Sequence, residues 1–196
     1  MEPEADTMNT RIAIMFLMLV ILLSGCAKKP EAGKQAQAQQ ELKRRNVAFD
    51  SGTFVKESFD GKNDDVALFL DAGMSPNTKG SMNYVEEKSE EAVFTDFTPL
   101  HAAALKGNAA LVELLLSRGA DVNAACTSTS KSYTYSKGTA LHLAAREGYA
   151  DVVKVLLQHG ADVNARVNDE ITPLALAKDA GNQEIVKMLQ EKGAAE

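Results

Sequence analysis

The sequence predicts an all-α fold, a solenoid of about four helix–turn–helix repeats set behind an N-terminal export segment and a polar tether. Three observations lead there. Four stretches align without internal gaps: GKNDDVALFLDAGMSPN (61–77), GNAALVELLLSRGADVN (107–123), GYADVVKVLLQHGADVN (148–164) and GNQEIVKMLQEKGAA (181–195). Each holds two glycines twelve apart, as Gly61/Gly73, Gly107/Gly119, Gly148/Gly160 and Gly181/Gly193. Ala and Leu dominate the apolar residues, with no Trp and 6% aromatics, a composition that favours helix. The repeats fall at about 50–77, 97–124, 138–165 and 171–195, inside a domain running 47–196.

The helices follow from the spacing. Val112, Leu115 and Leu116 stand at i, i+3 and i+4, the stripe of a helix with one buried face. Val152, Leu156 and Leu157 repeat it, as do Ile185, Val186 and Leu189. Each helix is too short to be stable alone, so the units must stack. Before three of the stretches stand TPLHAAALK (98–106), TALHLAARE (139–147) and TPLALAKDA (172–180). In the first, Leu100, Ala103 and Ala104 form a narrow face that permits close approach. Thr98, Thr139 and Thr172 are placed to cap these helices, with Pro99 and Pro173 in the first turn, where no N–H is needed.

This pattern resembles the ankyrin repeat, whose period is about 33 residues with the signature T-P-L-H-x-A. The resemblance covers roughly three quarters of the chain, about residues 47–195. It implies β-hairpin fingers after each second glycine, beside a concave binding surface. It also implies a structural role for His101 and His142, with the imidazole bonding backbone between units. Ala175 takes that place in the fourth repeat, and His159 is expected simply to be solvated. The first unit is degenerate, with Phe54 to Phe59 in place of the signature and Asp50 to Thr53 starting its helix, as in a capping repeat.

The two ends of the domain have different chemistry. Ile12 to Leu23 is an uncharged run of twelve residues, shorter than the roughly 20 a spanning helix needs and within the length of a signal-peptide core. It follows Arg11 and ends in Leu23-Ser24-Gly25-Cys26, which resembles the lipobox of bacterial lipoproteins. That resemblance implies a signal peptide over 1–25, cleaved before Cys26, with diacylglycerol on the thiol and an acyl group such as palmitate on the new amino group. Met1 to Thr7 is acidic, which makes Met8 the better start for a signal. Residues 26–46 read as a lipidated cysteine and a polar tether, disordered or weakly helical. Ala27 after the cysteine points to the periplasmic face of the outer membrane if the enteric sorting rule applies. The last repeat presents Lys187, Gln190, Glu191 and Lys192 as a polar outer face.

The period breaks in two places. Gly61 to Gly107 is 46 residues and Gly107 to Gly148 is 41, whereas Gly148 to Gly181 is 33, so two junctions carry 13 and 8 extra residues. Both insertions lie after the GADVN-type segment, on the side of the fingers, and insertions on one face often mark a binding face. The first (78–97) carries Glu86, Glu87, Glu90, Glu91 and Asp96 near Tyr84 and Phe94. The second (125–138) turns around Ser130 to Ser132 and sets Tyr133 and Tyr135 on one strand face. These aromatics are either partner anchors or packing between neighbouring fingers. The third finger, ARVNDEI (165–171), has Glu170 where glycine is common, so its turn is expected to differ. Cys126 is either buried between fingers or a free thiol.

Function classes narrow accordingly. The net charge of −6 argues against nucleic acid, and two cysteines are too few for a disulfide scaffold. The sequence holds no Ser-His-Asp set, glycine-rich phosphate loop or paired metal ligands, so no enzyme activity, metal or cofactor is expected. The expected function is a monomeric, lipid-anchored protein–protein interaction module of the periplasm. The alternative is an inhibitor or immunity-type protein for one enzyme or toxin. Expected contacts are the finger residues Tyr84, Glu86, Glu87, Phe94, Tyr133 and Tyr135, with Leu105, Lys106, Arg146, Glu147, Asp179 and Ala180 at the ends of the first helices.

Overall fold

The structure, a computed structural model, describes residues 29–84, 92–131 and 134–195. The export segment, Cys26, Glu86, Glu87, Glu90, Glu91 and Tyr133 lie outside the described residues. Chain order runs α1 (Lys29–Arg44), α2 (Ser51–Phe59), α3 (Asn63–Asp71), β1 (Gly80–Tyr84), β2 (Ala92–Phe97), α4 (Pro99–Leu105) and α5 (Ala109–Ser117). It continues through β3 (Cys126–Thr129), β4 (Thr134–Gly138), α6 (Ala140–Glu147), α7 (Ala150–Gln158), α8 (Pro173–Asp179) and α9 (Gln183–Glu191). Helices α2, α4, α6 and α8 stack in one row, and α5, α7 and α9 in a second.

The main core runs the length of the stack. Leu115 and Leu156 are fully buried in it, with Val112, Leu116, Val152, Ile185, Val186 and Leu189. Leu157 is only half-buried, and Val153 takes the inner position beside Leu156. Units are also tied by backbone capture. The asparagine of each GADVN-type motif accepts a backbone N–H one repeat further on: Asn77 from Asp121 (2.7 Å), Asn123 from Asp162 (2.9 Å) and Asn164 from Ala195 (2.8 Å). This ladder is why Asn recurs there. Gly107 illustrates the glycine requirement: its φ is +71°, and a Cβ would lie 2.7 Å from the Tyr149 ring of the next repeat.

At the N-terminal end the structure corrects an expectation. The stretch read as a tether is helical from Lys29 to Arg44, and its second half is docked. Ala, Gln, Lys and Glu are good helix formers, and Pro30 sits in the first turn, where it costs no hydrogen bond. Ala38 and Leu42, one turn apart, are buried in the core with Phe69 and Ala72. Gln39 donates to the Ala72 carbonyl (3.3 Å), and Arg45 bridges Glu41 and Asp65 at 2.9 and 2.7 Å. Helix α2 starts as expected, with Asp50 accepting from the Thr53 N–H at 2.8 Å.

The second correction concerns fold class. The chain is not all-α: the two insertions pair with each other into one four-stranded antiparallel sheet, in order β1-β2-β3-β4. Each insertion supplies a hairpin, and the β2–β3 pairing joins the hairpins. Phe94 lies opposite Ser128, Ser128 opposite Tyr135, and Phe94 opposite Met82, so these four form a row on one face. That face turns toward the first helices. It builds a second core from Val55, Ala92, Phe94, Phe97, Ala102, Leu105, Cys126 and Leu143.

Candidate partner-binding surface

Threonine–histidine pairs fix where the fingers leave the helices. In His101, Nδ1 accepts from the Thr98 N–H (3.2 Å) and hydroxyl (2.8 Å), so Nε2 carries the proton and donates to the Ala124 carbonyl at 3.0 Å. His142 repeats this with Thr139, and its Nε2 faces the carbonyls of Ala165 and Ile171, each at 3.2 Å. Both rings are buried, and desolvation lowers their pKa, to about 4 for His101. They are neutral at pH 7 and their ring nitrogens are engaged with backbone and threonine. The fourth repeat lacks the histidine, and Thr172 caps α8 alone, accepting from Ala175 N–H at 3.2 Å. His159 is more than solvated: it reaches Glu113 of the preceding repeat at 3.1 Å.

The third finger is short but not loose. Val167 and Ile171 pair across a turn in which Asn168 and Asp169 take positive φ (+52° and +64°), a conformation Asn and Asp tolerate. This is how the chain turns with Glu170 in place of glycine. Asn168 then grips the outer edge of β4. Its Oδ1 accepts from Ser136 N–H (2.8 Å) and hydroxyl (3.0 Å), and its Nδ2 donates to the Thr134 carbonyl (2.9 Å). Lys137 and Asp169 add an ion pair at 2.5 Å.

The mismatch between long and short fingers opens a cleft. Leu105 and Arg146 occupy equivalent positions at the ends of α4 and α6. Leu105 packs in the second core with Phe94 and is 3% exposed. Among the described residues the sheet ends at β4, and the Arg146 side chain is 38% exposed. Beneath it lies a cavity of about 60 Å³ between β3, β4, α6, α8 and the third finger. Its walls include Phe94, Cys126, Ser128, Tyr135, Leu143, Val167, Ile171 and Leu176. Arg146 gives Nε and Nη2 to one oxygen of Glu147, at 2.9 and 2.7 Å.

Several expected contact residues therefore take other roles. Phe94 and Leu105 are not surface anchors but core, because the sheet's inner face lies on the first helices. Tyr84 is half-buried, edge-on to Phe59 and Phe94 with centroids at 5.7 and 6.2 Å. Lys106 caps that cluster, its Nζ 4.1 Å above the Phe59 ring. Tyr135 and Arg146 both line the cleft wall. Cys126 is the buried alternative of the two left open, and desolvation pushes its thiol up to about 12. Ser128, Leu143, Val167, Ile171 and Leu176 went unread as site residues. They come from β3, α6, the third finger and α8, and share a wall only where those elements stack, which no local pattern encodes. Among the described residues, no group of His, Cys, Asp and Glu is placed to hold a metal ion.

These features define a solenoid of helix pairs with finger hairpins along one edge. Comparison with known proteins agrees. Residues 124–196 match a family model of three ankyrin repeats, and residues 95–127 match a single ankyrin repeat. An ankyrin repeat-containing protein of Schizosaccharomyces pombe is 38% identical over 64 residues, 33% of this chain and 25% of the relative. The chain thus spans about a quarter of that relative's length. The protein carries ankyrin repeats, and such repeats indicate a protein–protein interaction module.

Proposed function

We propose that this protein is a lipid-anchored scaffold of a bacterial envelope, binding a partner protein on the surface between its fingers and the ends of its first helices. The observation that carries the binding side is the cleft beside Arg146, an apolar recess left open where the four-stranded sheet stops. Ankyrin architecture supplies no site of its own, so function rests on that surface. The anchor side rests on Leu23-Ser24-Gly25-Cys26 after a short apolar run. Helix α1 begins at Lys29, with only Ala27 and Lys28 between it and Cys26. Three residues span at most ~11 Å, so a lipid on Cys26 holds the capping end of the solenoid close to the bilayer rather than on a long leash. The function is to hold or regulate a partner beside the membrane, in the periplasm and most simply at the outer membrane.

Metabolic labelling with an acyl-chain probe tests the anchor. Wild-type protein is expected to take the label and Cys26→Ala to remain an unlabelled precursor. Absence of label on the wild type removes the anchor while leaving the interaction module intact.

A further inference from the structure

The cleft has a definite size and charge, and both constrain what enters it. This deepens the interaction-module reading above and rests on it. A cavity of ~150 Å³ takes up benzene, so one of about 60 Å³ seats the tip of a small side chain and not an aromatic ring. The branched end of Leu or Ile, or the thioether end of Met, is of that order, whereas the rings of Phe and Trp are larger. The walls match an aliphatic guest: Leu143, Val167, Ile171 and Leu176 line the recess, backed by the buried Cys126 thiol.

The charge is equally specific. Arg146 is the one fully ionised side chain in the wall among the described residues. Its two bonds to Glu147 go to a single carboxylate oxygen and engage two of the three guanidinium nitrogens. The third nitrogen, Nη1, is not used by Glu147, which leaves it to an incoming carboxylate. Strand addition, the other common mode on a finger edge, is obstructed on β4, because Asn168 already occupies the Thr134 and Ser136 backbone groups.

We propose that the cleft between β4, the third finger and α6 is a socket for one aliphatic side chain of a partner protein, with an acidic residue beside that side chain meeting Arg146. The partner segment is therefore aliphatic and acidic. The socket exists because the third junction lacks the extra residues of the first two.

The test is selection of short random peptides, displayed on phage, against the full chain. Selected peptides are expected to share a Leu, Ile or Met next to Asp or Glu. Ser128→Leu fills the recess from the sheet side and is expected to weaken those peptides more than tenfold. Arg146→Gln should weaken them severalfold and remove the preference for the acidic neighbour. Gly138→Ala is the backup in case Ser128→Leu unfolds the sheet. A Cβ there meets the Cys126 sulfur at an unstrained 3.6 Å, and a fall of about threefold is expected. Peptides that bind wild type and both filled variants equally would overturn the socket and leave the interaction module standing. Peptides with no aliphatic–acidic consensus, or no enrichment at all, would overturn the socket as well.

Discussion

Acidification to pH 5 should weaken the fold through His101. The ring is fully buried and its pKa lies near 4, against an ordinary 6.5. Folded protein therefore keeps the ring neutral at a pH where the unfolded chain binds a proton. Stability is unaffected above pH 6.5, falls as pH drops below it, and stops falling near pH 4. Each pH unit inside that window costs about 1.4 kcal/mol, so His101 alone removes about 2 kcal/mol between pH 7.5 and 5. His142, shifted the same way by burial, adds to this. The carboxylates whose pKa is lowered, Glu41 and Asp50, lose their contribution only as pH falls below their ordinary range. Urea melts at pH 7.5, 6 and 5 therefore isolate the histidines. His101→Gln is expected to be less stable at every pH and to show a visibly flatter dependence over this window. An NMR titration in which the His101 ring of folded protein titrates near 6.5, or a variant with an unchanged slope, would refute the argument.

Three further outcomes follow from packing. Leu115→Ala and Leu156→Ala each remove a fully buried side chain and should cost ~2–5 kcal/mol, read as a large fall in the urea midpoint. Gly107→Ala faces both a positive φ and the Tyr149 ring at 2.7 Å. It should lower the melting temperature markedly, and adding Tyr149→Ala should recover only the steric part. Cys126 is buried with a thiol near pKa 12, so a thiol reagent at pH 8 should leave it unmodified in folded protein and label it promptly in urea.

The repeat frame was legible in the sequence because it rests on local rules. Glycines at positive φ, threonine caps and i, i+4 leucines each act within one unit, and the paired histidines act through a fixed finger. What escaped was pairing between units. Alternation along the insertions tells which residues share a face, but not that β2 would pair with β3 and turn Phe94 inward. With the hairpins joined, the aromatics found a core that neither hairpin offers alone. Arg146 and Tyr135 were legible as surface candidates. The aliphatic walls between them were not, since Val167 belongs to the third finger and Leu176 to the fourth repeat. Helix α1 escaped for a related reason: its apolar stripe is only Ala38 and Leu42, and it is recognisable only against the end of the stack it covers.

The most direct test of the account places a photo-crosslinking amino acid at position 135, in the cleft wall, and separately at position 154, an exposed lysine on α7 in the second row of helices. Irradiation of cells of the native host is expected to give one discrete protein adduct from position 135 and none from position 154. An adduct from position 154 with none from position 135 would contradict the claim that this solenoid binds its partner through the cleft.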